Sequence, residues 1–280
     1  MISPADYEFF QRFLKQRSGL VLADGKQYLL EARLTPIANT FGVQSLTALA
    51  QRLRQPGAHT IEEAIVDAMT TNESSFFRDK TPFDAFKTLM LPTLMKSRPM
   101  TQPLRIWCAA ASSGQEPYSL AILLREASAA LAGRKVEIIG TDISEEILKR
   151  ARSGIYSQFE VQRGMPVQML VKYFKKQGEN WEINPDIRHM VHFRTLNLLN
   201  NFSALGSFDI IFCRNVLIYF DMQTKLDILE RMAKNLRPDG FLVLGGAETV
   251  VGVTSAFAPV PQQRSIYSLS AVPGRNVAAA

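Results

Sequence analysis

The chain has 280 residues, of which 46% are hydrophobic and 21% charged, a balance that fits an ordinary globular protein and excludes a disordered or collagen-like one. A net charge of +6 and a pI near 9.4 fit a solvated surface with excess Lys and Arg or, as the sharper reading, an acidic partner, without choosing among nucleic acid, anionic lipid and acidic protein. The two cysteines, Cys108 and Cys213, offer neither a disulfide framework nor metal-ligand spacing; no apolar run reaches the ~18 residues of a membrane span; and no secretory signal is visible, so a reducing, cytoplasmic setting with no metal and no membrane insertion is expected.

Residues 1–70 read as all-helical. Tyr7, Phe10, Phe13 and Leu14 recur at helical spacing after Pro4. Leu46, Leu49, Ala50 and Leu53 make a second stripe, with Ser45 as its N-cap and Pro56-Gly57 as its stop. Thr60 and Glu63 have capping-box spacing ahead of Ile61, Ile65 and Met69. Residues 71–103 form a linker: Thr71 to Asp79 lacks periodicity, Pro82 opens a helix running to about Lys96, and Pro99 and Pro103 mark a boundary.

From Leu104 to the end, 104–280, short buried strands alternate with helices. Strand 104–110 leads to helix 117–131, strand 136–142 to helix 144–152 with Ser144 as cap, and strand 208–213 to helix 222–236. Strand 191–196 precedes Asn197, and Pro238-Asp239-Gly240 turns into strand 241–246. That rhythm predicts an α/β fold, a mainly parallel sheet covered on both faces, closed by an antiparallel hairpin of 257–260 and 265–269. Residues 153–190, rich in Gln, Lys, Arg and Gly, read as an inserted subdomain, and the tail 274–280 as frayed.

The chemistry concentrates where strands end. Ala109 to Gly114 carry almost no side-chain bulk, so a ligand can lie against the backbone between strand and helix. The turn is not G-x-G-x-x-G, and it puts Glu116 where a pyrophosphate needs bare N–H groups. Both facts point away from a dinucleotide and toward a ligand bearing positive charge and hydroxyls, which S-adenosylmethionine combines. Asp142, ending its strand, is placed either for two ribose hydroxyls or as a first-turn helix acid. Asn197, Arg214 and Asn215 follow strands at the same edge, as turn residues or as ligand contacts, and Tyr219 lies just beyond. Arg78 is a cation able to clamp a carboxylate. The three histidines have no partner arrangement, which removes hydrolytic and covalent mechanisms.

With these segments placed, the chain resembles the CheR family of methyltransferases, which esterify glutamate side chains on chemotaxis receptors. The resemblance rests on Asn72-Glu-Ser-Ser-Phe-Phe-Arg78, Trp107 to Ser119, Ala151-Arg-Ser-Gly-Ile-Tyr156 and Ile211 to Asp221. It implies a Rossmann-like class I S-adenosylmethionine-dependent sheet with a helical N-terminal domain and an inserted β-subdomain. It further implies cofactor contacts from Asn72, Ser74, Arg78, Glu116, Asp142, Asn197, Leu198, Arg214 and Asn215, with Arg78 and Tyr219 beside the acceptor. The product is then S-adenosylhomocysteine, and the partners are cytoplasmic receptor helices, with no nucleic acid. The insertion after Tyr173-Phe174 is short, which favours direct receptor recognition over a peptide tether; Arg12, Lys15, Arg17, Arg52 and Arg54 would supply a docking face. The rival readings are a degenerate receptor-binding scaffold, which would lose the cofactor residues, and a nucleic-acid methyltransferase, which needs a denser basic patch.

Overall fold

Local capping explains where several helices start. In the computed structural model, which describes residues 2–270, the Ser3 hydroxyl accepts the Asp6 N–H at 3.1 Å and Pro4 opens helix α1 (Pro4–Ser18). Gly19, in the left-handed conformation, closes it. Helices α2 (Gln27–Thr40), α3 (Leu46–Leu53) and α4 (His59–Met69) complete a bundle around Phe10, Leu14, Leu30, Leu34, Leu49 and Ile65. Ser45 caps α3 as expected, its hydroxyl accepting the Ala48 N–H at 3.1 Å. The Thr60–Glu63 capping box does not form: α4 begins earlier, at His59, behind Ala58 and without a side-chain cap.

The segment after α4 is part of the second core. Helix α5 (Thr81–Ala85), a π-helical turn (Phe86–Met90) and helix α6 (Leu91–Ser97) follow one another as one helical run. Phe76, Phe83, Phe86, Met90 and Leu94 are buried together with Ile106, Cys108 and Phe212. Residues expected to form a linker therefore cover one face of the sheet.

The rest of the chain alternates. Strand β1 (Leu104–Ala109) leads to helices α7 (Gln115–Glu126) and α8 (Ser128–Leu131), and strand β2 (Val136–Asp142) to helix α9 (Glu145–Ser153). The insertion holds β3 (Ile155–Ser157), α10 (Gln158–Gln162), α11 (Val167–Tyr173), β4 (Phe174–Gln177), β5 (Asn180–Ile183) and α12 (Pro185–Arg188). Then come β6 (Val191–Thr195), β7 (Phe208–Cys213), α13 (Met222–Asn235), β8 (Leu236–Leu244), β9 (Phe257–Pro259) and β10 (Ile266–Leu269).

The main sheet has seven strands in the order β6-β2-β1-β7-β8-β10-β9, parallel from β6 to β8 and antiparallel at the final hairpin. Side chains of β1 alternate between two cores: Leu104, Ile106 and Cys108 on one face, Trp107 and Ala109 on the other. Burial on both faces is why these strands read as unbroken apolar runs. The insertion forms its own antiparallel sheet, ordered β3-β5-β4.

Three boundaries differ from expectation. Helix α7 starts two residues before Pro117, and Ala127 separates it from α8. Pro238-Asp239-Gly240 is not a turn ahead of a strand but an irregularity inside β8, where Leu236 pairs with Phe208 and Phe241 with Ile210. Charge pins this excursion, since Arg98 binds both Asp239 and the fully buried Asp209, which also accepts Arg237 at 2.7 Å. The expected frayed tail lies outside the described residues.

Candidate active site

The parallel strands direct their carboxyl ends at one pocket that opens to solvent. β1 lies at the switch point of the topology: the chain runs from it to β2 and β6 on one side, then crosses to β7 on the other. Every residue expected at the cofactor and acceptor site lines this pocket: Asn72, Ser74, Arg78, Glu116, Asp142, Asn197, Leu198, Arg214, Asn215 and Tyr219.

The floor is the loop after β1. Ala110, Ser112 and Gly114 all have positive φ, at 65°, 50° and 92°. For the first two this is a strained conformation, of the kind that survives only where surrounding contacts over-determine it. Here the Ser112 N–H donates to Asp142 Oδ2 at 2.8 Å, and the Ser112 hydroxyl donates to the Asn72 carbonyl at 3.0 Å. A Cβ at Gly114 would stand 3.1 Å from Ala151, Phe193 and Tyr118, so the loop is also packed from behind. Small residues at the front and aromatic packing at the back leave room for a ligand on the pocket side only.

Asp142 is tied at both oxygens, Oδ1 accepting the Ser144 N–H at 3.1 Å. Each oxygen keeps accepting capacity for a hydroxyl, which suits a vicinal diol. Burial pushes its carboxyl above the ordinary value, with the backbone N–H groups opposing.

Glu116 is not a free anion. Its Oε2 accepts Arg214 Nη1 at 2.8 Å, while Arg214 Nη2 donates to Asp79 Oδ2 at 2.7 Å and to the Arg78 carbonyl at 2.9 Å. The Arg214 side chain is 2% exposed. Burial still drives the Glu116 carboxyl upward against the pull of Arg214. Phe77, Asp79 and Lys80 also take positive φ, bending the chain so that Arg78 and Asp79 meet Arg214. The Arg78 guanidinium itself donates to the Glu73 carbonyl at 2.9 Å.

The remaining residues are placed by contacts that sequence reasoning did not foresee. Asn197 donates to the Arg17 carbonyl at 2.6 Å and accepts the Leu199 N–H at 3.0 Å, so it joins the two domains as well as lining the pocket. The Val21 N–H donates to the Tyr219 carbonyl at 2.9 Å, and Lys15 pairs with Asp221 at 2.7 Å. Ser18 and Leu20 of the helical bundle thereby enter the pocket wall. No spacing in residues 1–70 announces this role, because the contacts are made across the fold. Of the basic residues expected to form a docking face, Lys15 is spent on Asp221, Arg17 pairs with Glu62 at 2.7 Å, and Arg54 lies over the Phe9 ring. Cys108 and Cys213 are buried core residues whose thiols burial pushes well up.

The lining fits S-adenosylmethionine by its chemistry: Asp142 keeps accepting capacity for a diol, and the amides of Asn72, Asn197 and Asn215 line the same pocket. Among the described residues, no cluster of His, Cys, Asp and Glu is able to hold a metal, and no helix is long and apolar enough to cross a membrane.

Comparison with known proteins agrees with this geometry. Residues 72–266 match the SAM-binding domain of CheR methyltransferase and residues 5–70 its all-alpha domain. The chain is 44% identical over 251 residues to chemotaxis protein methyltransferase 1 of Pseudomonas aeruginosa, covering 88% of this chain and 90% of that one. It is 40% identical over 259 residues to chemotaxis protein methyltransferase Cher2 of Pseudomonas putida, covering 91% and 94%. The chemotaxis protein methyltransferase of Salmonella typhimurium is 34% identical, covering 96% and 91%. With residues 5–70 and 72–266 both matched and the pocket lined as described, the chain belongs to the CheR methyltransferase family and is an S-adenosylmethionine-dependent protein-glutamate O-methyltransferase.

Proposed function

We propose that this pocket holds S-adenosylmethionine through Asn72, Ser74, Glu116, Asp142, Asn197, Leu198, Arg214 and Asn215, and esterifies glutamates on the cytoplasmic helices of chemotaxis receptors beside Arg78 and Tyr219. The supporting observation is convergence: residues scattered from Asn72 to Tyr219 line one pocket at the carboxyl ends of β1, β2, β6 and β7. When bound, the cofactor supplies a methyl group on a positively charged sulfur. Asp142 would hold the ribose hydroxyls; Arg214, with Glu116 as counter-charge, fixes the Arg78–Asp79 bend and the carboxylate of Glu116 at the pocket wall. Arg78 attracts and orients the incoming carboxylate, and the Tyr219 hydroxyl fixes its angle of approach. A glutamate side chain has a pKa of about 4.3 and is already ionised at neutral pH, so no side chain need remove a proton. What the protein contributes is alignment and exclusion of water. The protein works in the cytoplasm and meets the receptor directly at the pocket mouth.

Incubation with labelled cofactor and receptor cytoplasmic fragments should give a base-labile methyl ester. Arg78→Ala should lower turnover about 100-fold or more through lost alignment while leaving unfolding unchanged. Turnover near that of the parent enzyme would remove Arg78 from the acceptor site.

A further inference from the structure

Glu248 was not singled out from the sequence, yet it is bonded to the loop that carries two site residues. It lies beyond β8, is 8% exposed, and accepts backbone N–H groups from Gly245 at 2.7 Å, Asn215 at 2.8 Å, Val216 at 2.9 Å and Ile218 at 3.3 Å. Three of those donors belong to the segment between β7 and α13, where a 3-10 turn (Leu217–Tyr219) carries Tyr219. One carboxylate thus caps that turn and also holds Asn215 in its left-handed conformation, φ 57°. The room for it comes from Gly245: a Cβ there would stand 2.7 Å from Glu248 Oε2 and 2.9 Å from Asn215 Nδ2.

We infer that Glu248 is a positioning residue for methyl transfer, setting the backbone from which Asn215 faces the cofactor and Tyr219 the acceptor. This rests on the placement of Asn215 and Tyr219 proposed above. A neutral amide cannot replace it. Glu248→Gln keeps the shape but turns one oxygen into a donor facing donors, so the segment must shift. Glu248→Asp keeps the charge and withdraws it by one methylene.

The test measures stability, product affinity and steady-state kinetics on the full chain at a temperature where each variant is folded. For Glu248→Gln, we expect kcat and the affinity for S-adenosylhomocysteine each to fall about tenfold, the KM for the receptor fragment to change less than threefold, and Glu248→Asp to recover part of both. Adding Tyr219→Phe to Glu248→Gln should cost less than in the parent, because both act on one positioned hydroxyl. A folded Glu248→Gln variant with parental kcat and product affinity would overturn the inference, as would losses that multiply in the double variant. If Tyr219→Phe alone works at the parental rate, the acceptor role of Tyr219 fails separately. Glu248 is then judged on product affinity, where a tenfold loss supports it and no loss overturns it.

Discussion

Arg214 shows how much one side chain can be asked to do. It neutralises Glu116, reaches Asp79, caps the Arg78 carbonyl and keeps a buried Nε without a partner. Removing one partner of a buried pair leaves an uncompensated charge, which costs more than the pair contributes. Arg214→Met should therefore destabilise the protein by about 3–5 kcal/mol in urea unfolding, and adding Glu116→Gln should recover a large part of that loss. A double variant no more stable than the single one would mean that Glu116 is not the stranded charge. From the sequence, Arg214 and Glu116 were legible as separate candidates at the ends of two elements. Their pairing was not, because they are far apart in the chain and meet only when β1 and β7 lie side by side.

At the scale of elements, helix starts were readable wherever a side chain caps the backbone. Ser45 and Ser144 accept the N–H three residues on, as their spacing predicts. Helix α2 carries Pro36 in its interior and has no side-chain cap, so no local signal marks it; packing of Leu30 and Leu34 into the bundle holds it instead. Asp221 joins two kinds of contact, capping α13 through the Thr224 N–H at 2.8 Å and pairing with Lys15 on α1. Lys15 and the Thr224 groups hold its carboxyl well below the ordinary value. A lowered folded-state pKa adds stability that is fully present above the unfolded value of 3.8 and drains away as pH falls below it. Asp221→Asn keeps a capping oxygen and loses the ion pair. The parent should be more stable by about 0.5–1 kcal/mol near neutrality, a figure limited by the solvent exposure of both side chains. The gap in Tm should close as the pH is taken below 3.8. A gap that persists in acid would show that the charge on Asp221 contributes nothing.

For the whole molecule, the helical bundle and the sheet domain share one pocket wall, with Ser18 and Leu20 on one side and Asn197 and Tyr219 on the other. The net charge of +6 survives as a field even though Lys15 and Arg17 are engaged internally. Association with an acidic receptor segment should weaken as salt rises from ~50 to ~300 mM, seen as a rising KM with kcat held, because exposed charges are screened within about 10 Å at 0.1 M. A KM indifferent to salt would mean that recognition is apolar.

Composition, strand periodicity and the clustering of small and polar residues at strand ends were enough to indicate the fold class, the ligand edge and Glu116, Asp142, Asn197, Arg214 and Asn215 upon it; Asn72, Ser74 and Leu198 came from the family resemblance alone. Periodicity and clustering are local properties, written in spacings of two to four residues, which is the range over which a backbone dictates which face a side chain occupies. Only the tertiary structure decided that residues 71–97 belong to the sheet's core, that Glu116 is neutralised by Arg214, and that Glu248 holds the loop bearing Tyr219. Each of these depends on contacts between segments distant in the chain, and such contacts exist only once burial of the two sheet faces has brought those segments together.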